Sequence, residues 1–188
     1  MHTNETAIPG VFEVVLDPVR DERGFFARAW CVQEFAALGL AGRFVQASVS
    51  YNARRGTVRG MHFQHPPSQE GKLVRCERGR AHDVVLDLRP TSPTFLRHVA
   101  VELDERAGNA LYIPPGVAHG FQTLVEDCMI QYTMTDFFQP ALADGVRWND
   151  PAFRIRWPLE VGMISERDGN YPDFDRSAHE SRWRPVDG

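Results

Sequence analysis

Cysteine is scarce in this 188-residue chain: Cys31, Cys76 and Cys128 are the only three, and they are widely spaced. So few thiols, odd in number, exclude a dense disulfide framework and a zinc knuckle, and they are typical of a protein in a reducing compartment. No apolar run approaches the ~18 residues of a membrane-spanning helix. The first ten residues, MHTNETAIPG, contain no basic segment followed by an apolar one, so no secretion signal is expected. We therefore predict a cytoplasmic protein with no membrane partner.

The sequence also lacks any block of like charges, although 24% of its residues are charged. The net charge of −4, with both signs interspersed, argues against nucleic acid or an anionic membrane as the main partner. A local cationic pocket for an anionic small molecule stays compatible with it. Apolar residues make up 43% of the chain, enough for a sizeable core, and the length predicts one domain over residues 1–188.

Short alternating or β-branched runs recur along the chain, for example VFEVVL, TVRGMHF, KLVRCE, AHDVVLDL, HGFQTLV and CMIQYTM. Turn sequences such as DERG, ERGR and RPTSPT separate them, a spacing typical of a β-sandwich or barrel. Only residues 32–42, VQEFAALGLAG, show a helical pattern, and it ends at glycines that could cap it. The sequence thus predicts an all-β domain with little helix and an irregular C-terminal segment.

One predicted strand, in GTVRGMHFQHP, carries His62. Regular two-residue alternation would place Val58, Gly60, His62 and Gln64 on one face of the strand. Arg59, Met61 and Phe63 would lie on the other face. The neighbouring glycine leaves space in front of the ring. The pattern leaves three interpretations open: a polar strand face in water, a metal ligand, or a base.

A second stretch, GNALYIPPGVAHGF, fits the second motif of the cupin superfamily, G-x5-P-x-G-x2-H, with Gly108, Pro114, Gly116 and His119. Pro-Pro-Gly predicts a tight turn between two strands. The histidine would begin the return strand, where it can point into a barrel.

The first cupin motif would supply H-x-H and a glutamate as metal ligands. Here His62 is followed by Phe63 and Gln64, and Glu70 lies in a predicted loop. Two histidines are too few for zinc, iron or manganese, which prefer three or four His, Cys or carboxylate ligands. We therefore expect no metal, which leaves proton transfer as the natural use of the histidines.

Several motifs together resemble the dTDP-4-dehydrorhamnose 3,5-epimerase family of the cupin superfamily. The family's RGxxRGLHxQ is similar to RGTVRGMHFQ here, and its QxKLVRV to QEGKLVRC. Further matches are DVVLDLRPTSPTF, IPPGVAHGF, RWNDPAFRIRWP and SERD, in family order from about Gly10 to Asp168. The resemblance implies a cupin jelly-roll barrel with short flanking helices, a homodimer, and no metal or organic cofactor.

Carried over by position, the resemblance implies that His62 is the general base and that Asp168 orients it and stabilises its protonated form. Tyr132 would be the acid that returns a proton to the opposite face of the sugar. Lys72 would polarise the 4-keto oxygen and stabilise the enolate. A proton α to a ketone is only weakly acidic, so its removal needs such a neighbouring cation.

Other residues are implied as substrate contacts. Arg23 and Arg59 would bind the diphosphate, whose oxygens suit a planar guanidinium. Gln46 would contact the nucleotide, and His119 with Asp83 would form a second polar pair lining the pocket.

The chain departs from the family pattern at three positions. Arg28 replaces a glutamate expected to contact the nucleotide base, and Ala143, beside Asp144, replaces another glutamate. Phe138 replaces a tyrosine and removes a hydroxyl near the sugar. The reaction type is therefore better determined than the substrate.

Arg59 poses a geometric difficulty, because it lies three residues before His62 and a regular strand would point the two side chains to opposite faces. Either a bulge near Gly60 changes the direction of the chain, or Arg59 reaches a site at a dimer interface. We favour the interface.

The sequence accordingly predicts an epimerase that inverts carbon 3, carbon 5 or both of a nucleotide-linked 4-keto-6-deoxyhexose, with dTDP as the expected nucleotide. A 3,4-ketoisomerase and a non-catalytic sugar-binding cupin are alternatives. A metal-dependent cupin oxygenase or isomerase is disfavoured by the missing ligands.

Overall fold

The computed structural model describes residues 1–183, which form two antiparallel sheets, a separate hairpin and three short helices. The six-stranded sheet has the order β1-β2-β10-β7-β12-β5, with β1 His2–Glu5, β2 Phe12–Val15, β5 Gln46–Asn52, β7 Lys72–Arg78, β10 Ala110–Ile113 and β12 Cys128–Met134. The five-stranded sheet has the order β13-β6-β11-β8-β9, with β6 Val58–Gln64, β8 Arg80–Asp87, β9 His98–Asp104, β11 Val117–Thr123 and β13 Ala143–Gly145. The hairpin consists of β3 Val19–Asp21 and β4 Gly24–Phe26.

The two sheets pack face to face around the largest apolar cluster. Val74 and Ile130 of the six-stranded sheet meet Val85 and Phe121 of the five-stranded sheet there, all at most 1% exposed. Removing such side chains from water contributes about 1.5–3 kcal/mol each. The sheets do not close into one continuous barrel. The predicted all-β architecture is confirmed.

The outer face of each sheet is also covered. On the five-stranded sheet, Val84 and Leu86 pack under the C-terminal segment, which contributes Phe153 and Phe174. Strand β8 is therefore buried on both faces, and this explains why VVLDL is a nearly continuous apolar run rather than an alternating one. The C-terminal segment holds two short helices, α2 (Glu166–Gly169) and α3 (Arg176–Arg182).

The first helix, α1, spans Val32–Ala37 and buries Phe35 against the outer face of the six-stranded sheet. The prediction of a helix over 32–42 was too long. Gly39 adopts a φ of +72°, and the backbone N–H of Leu40 donates to the carbonyl of Phe35 at 2.9 Å. A left-handed glycine with such a bond ends a helix. The second glycine, Gly42, lies outside it.

Candidate active site

His62, Lys72 and Tyr132 line one cavity of about 300 Å³, to which strands of both sheets contribute. Further lining residues are Ser48, Phe63, Gln64, Glu70, Met134, Phe138, Ala143, Asp144 and Arg167. The walls of the cavity therefore combine titratable side chains with apolar ones such as Phe63, Met134 and Phe138. A concave site that combines a few convergent polar groups with apolar walls is suited to a small organic ligand.

Asp168 holds the His62 side chain in place at one wall of this cavity. It lies in α2, whose first turn is capped by Ser165, and its Oδ1 is 2.8 Å from Nε2 of His62. Its Oδ2 accepts a hydrogen bond from the backbone N–H of Gly60 at 3.1 Å. Burial by itself would raise the pKa of Asp168, but the bonds from His62 and Gly60 outweigh it and lower the pKa. The carboxylate therefore stays charged and favours the tautomer of His62 that carries its proton on Nε2, which leaves Nδ1 unprotonated.

A bulge in β6 brings Arg59 and His62 to the same face of the sheet. His62 pairs with His119 and Arg59 with Phe121, so three residues of β6 span two residues of β11. A side chain on Gly60 would place its Cβ 2.5 Å from the Cα of Gly120, so only glycine permits this approach. The bulge, which we had disfavoured, therefore resolves the direction of Arg59, and no dimer interface is needed to explain it.

Tyr132 faces the same interior from β12, between Val74 and Ser48 of the neighbouring strands. Burial raises the pKa of Tyr132 far above its ordinary value, and the nearby Asp83 raises it further. The hydroxyl therefore stays protonated at neutral pH and can act only as a proton donor or a hydrogen-bonding group.

Asp83 and His119 form a second pair beneath Tyr132. The carboxylate of Asp83 is fully buried, and its oxygens lie 2.8 and 3.0 Å from Nε2 of His119. The His119 ring stands edge-on to Tyr132, with centroids 5.8 Å apart. Burial raises the pKa of Asp83. The pair supports the tyrosine from below rather than lining the cavity itself, so its predicted lining position is not what the structure shows.

Lys72 is not a free cation. Its Nζ lies 2.6 Å from Oε2 of Glu70, and the two side chains are only 12% and 9% exposed. Glu70 does lie in the loop between β6 and β7, as predicted, yet its carboxylate lines the cavity.

Arg167 was missed by sequence reasoning. It precedes Asp168 in α2 and projects into the cavity, with its guanidinium 5.8 Å from the ring centre of Tyr171. The signal for Arg167 was its position next to Asp168 in SERD. Adjacent residues of one helical turn point in different directions, so Asp168 can contact His62 while Arg167 faces the cavity.

Three of the predicted contacts, Arg23, Gln46 and Arg59, are not among the residues that line the cavity. Arg23 is on the exposed β3–β4 hairpin and pairs with Asp21. Gln46 borders a neighbouring cavity of about 420 Å³ and accepts a hydrogen bond from the backbone N–H of Phe138. Arg28 pairs with Glu34 of α1 at 2.7 Å, so it is held away from the cavity. Phe138 and Ala143, in contrast, both line it.

The sequence profile described as dTDP-4-dehydrorhamnose 3,5-epimerase matches residues 5–176. The chain belongs to the dTDP-4-dehydrorhamnose 3,5-epimerase family. A family member from Sinorhizobium fredii is 41% identical over 159 residues, which cover 82% of this chain and 80% of the relative. The family consists of carbohydrate isomerases with the cupin jelly-roll fold, and both the predicted fold and the predicted enzyme class are confirmed.

Two solved family structures contain nucleotide sugars. The epimerase of Legionella pneumophila, in complex with dTDP-4-keto-L-rhamnose, is 34% identical with a TM-score of 0.84, over 90% of this chain and 92% of that one. A 3′-monoepimerase of Streptomyces bikiniensis, in complex with dTDP-quinovose, is 30% identical with a TM-score of 0.84, over 94% and 88%.

Residues 1–183 contain no group of three or more His, Cys, Asp or Glu side chains arranged to hold a metal ion. None of the helices in residues 1–183 has both the length and the apolar character that a membrane crossing requires.

Proposed function

We propose that the chain is one catalytic domain that inverts carbon 3, carbon 5 or both of a dTDP-linked 4-keto-6-deoxyhexose. The observation that carries this proposal is the shared cavity of His62, backed by Asp168, and Tyr132. One group can remove a proton and the other can supply one. Epimerisation α to a ketone needs such a pair, with the reacting carbon between them.

In the first step, Nδ1 of His62 takes the proton from the carbon next to the 4-keto group. The C–H electron pair forms a double bond to the carbonyl carbon of the sugar. The π electrons of the carbonyl move to its oxygen, which becomes the enolate oxygen. Asp168, 2.8 Å behind the ring, stabilises the imidazolium that forms. Lys72 stabilises the enolate oxygen, since its ammonium lines the same cavity.

In the second step, Tyr132 donates its phenolic proton to the opposite face of the same carbon, and the enolate electrons return to the carbonyl. A tyrosine whose pKa is raised by burial is protonated before the step, as required of the donor. Exchange with solvent then returns a proton to Tyr132 and removes one from His62.

The diphosphate requires cations that carboxylates do not already neutralise. Among residues 1–183, neither Arg59 nor Arg167 is paired with a carboxylate; Arg59 instead donates to Oδ1 of Asn52 at 2.7 Å. These two guanidinium groups are the phosphate contacts we assign. dTDP is the proposed nucleotide because the two relatives above were solved with dTDP-sugars.

We also propose a cytoplasmic homodimer. The β3–β4 hairpin exposes Val19 and Phe26 at 71% and 78%, and the edge strand β5 exposes Val49 and Tyr51 at 60% and 52%. Exposed apolar groups of this size, next to an unpaired sheet edge, favour self-association. In such a dimer, the hairpin of one protomer would carry its Arg23 towards the cavity of the other. A molar mass from light scattering equal to that of one chain would exclude the dimer.

Deuterium exchange tests the proposed reaction. The protein is incubated with dTDP-4-keto-6-deoxyglucose in D2O, and deuterium at carbons 3 and 5 is followed by NMR. Exchange at one carbon indicates a mono-epimerase, and exchange at both a 3,5-epimerase. No exchange by the folded protein refutes the epimerase proposal for this substrate, whereas migration of the keto group to carbon 3 indicates a 3,4-ketoisomerase.

Two variants separate the roles of base and acid. His62→Ala should abolish exchange, while His2→Ala, which removes a 58% exposed ring, should leave it unchanged. Tyr132→Phe should permit exchange at the carbon but block net inversion. Normal inversion by Tyr132→Phe would show that another group is the acid.

A further inference from the structure

The loop that carries Glu70 is tightly held. The backbone N–H of Gln69 donates to Oδ2 of Asp136 at 3.0 Å, that of Glu70 to Oγ of Ser68 at 3.2 Å, and that of Gly71 to Oγ1 of Thr135 at 2.7 Å. Three successive amides are thus fixed by side chains rather than by a strand partner. A loop pinned in this way gives the Glu70 side chain a defined starting point.

The Glu70 carboxylate is nearly buried and lies beside a nearly buried ammonium. Removing both charges from water carries a desolvation cost for each ion, and their attraction offsets this cost only when the geometry is good. The pair lies in the cavity, beside polar groups such as His62 and Tyr132, and belongs to no part of the apolar cluster between the two sheets. The pair therefore calls for an explanation in the chemistry of the cavity.

Lys72 differs from the two cations that we assign to the diphosphate. Arg59 and Arg167 have no carboxylate partner within residues 1–183, whereas Lys72 is held by Glu70 at 2.6 Å. A cation needed only to attract a diphosphate would bind better without an anion beside it. A cation that must point at one oxygen benefits from an anchor, because the lysine side chain is long and flexible.

We propose that Glu70 is a positioning residue that acts through Lys72, an inference that rests on the proposed function. An ammonium has three N–H donors. Glu70 takes one of them and fixes the direction of the other two, which face the cavity where the keto oxygen of the sugar becomes an enolate. The attraction between Lys72 and the keto oxygen strengthens as the oxygen gains negative charge in the transition state. Loss of Glu70, which holds Lys72 in place, should therefore reduce kcat more than it raises KM.

A double-mutant cycle tests this proposal, with Glu70→Gln, Lys72→Met and the combination measured by the deuterium exchange described above. Glu70→Gln should lower kcat about 100-fold, the effect of a misplacement of ~1 Å, with little change in KM. In the Lys72→Met background, Glu70→Gln should not lower kcat further. Removing both partners also avoids an unpaired buried charge. Glu77→Gln, which removes an exposed carboxylate from the same strand as Lys72, is the matched control and should be neutral.

Multiplicative effects in the two backgrounds would overturn the proposal, because Glu70 would then act independently of Lys72. A Glu70→Gln variant with unchanged kcat would do the same. If that variant does not fold, Glu70→Asp, which keeps the charge but shortens its reach, is placed in the same cycle with the same criterion. Absence of exchange by the wild-type protein would instead refute the proposed function, so the two failures are distinguishable.

Discussion

Replacing Asp168 by asparagine tests the base most directly, because it changes one atom of the dyad and almost no volume. In the wild type both carboxylate oxygens accept, one from Nε2 of His62 at 2.8 Å and one from the backbone N–H of Gly60 at 3.1 Å. An amide has only one acceptor oxygen. The backbone N–H of Gly60 cannot become an acceptor, but His62 can change tautomer. We therefore expect the amide oxygen to turn to Gly60 and its NH2 group to His62.

This arrangement places the imidazole proton on Nδ1, the nitrogen that must act as the base. Two losses follow. Two charges ~4 Å apart interact by ~4 kcal/mol at an effective dielectric constant of about 20. The His62 side chain is 44% exposed, so we reduce this energy by about half for solvent screening. The remaining loss of imidazolium stabilisation, about 2 kcal/mol, corresponds to a roughly 30-fold lower rate. A wrong tautomer in a Ser-His-Asp triad lowers kcat about 10⁴-fold, and we expect a total near that value.

The assay is the initial rate of deuterium entry at the reacting carbon with saturating substrate, accompanied by a urea unfolding curve. Asp150→Asn is the matched control: Asp150 is 2% exposed and accepts from the backbone N–H groups of Ala152 and Phe174, but it has no histidine partner. It should lose stability and keep its rate per folded molecule. Wild-type exchange by folded Asp168→Asn would refute the assignment of His62 as a base oriented by Asp168.

Two further predictions concern the fold that supports the site. Gly60→Ala should destabilise the protein by at least about 2 kcal/mol, because φ is +119° and the new Cβ would lie 2.5 Å from backbone; Gly169→Ala, with its nearest atom 3.8 Å away, is the control in urea unfolding. Asp87→Asn should cost about 2–3 kcal/mol at pH 7. Burial alone would raise the pKa of Asp87, but bonds from Arg89, Ser92 and Thr94 lower it. This stabilisation is present above the unfolded pKa of ~3.9 and is lost as the pH falls through the folded value, so wild type and variant should converge in acid. A difference in unfolding free energy that is unchanged at pH 3 would contradict this reasoning.

Much of the site could be predicted from the sequence because its information is local. The turn IPPG and the strand CMIQYTM around Tyr132 each depend on residues next to one another in the chain, whereas SERD was matched only as a family motif. The resemblance to the family, carried by the order of its motifs, predicted His62, Asp168, Lys72 and Tyr132 as one set, and the structure brings the four together.

Tertiary structure alone decided the features that depend on a second segment. The direction of Arg59 follows from a bulge where Gly60 lies against Gly120. A bulge adds one residue to the strand, so the two-residue alternation of the sequence could not predict it. The pairing of Glu70 with Lys72 depends on a loop held by Asp136 and Thr135, more than sixty positions away. The sequence, through its resemblance to the family, therefore predicted which groups carry the chemistry. Their directions and charge partners were set by contacts between distant segments, because hydrogen bonding and burial act through space and not along the chain.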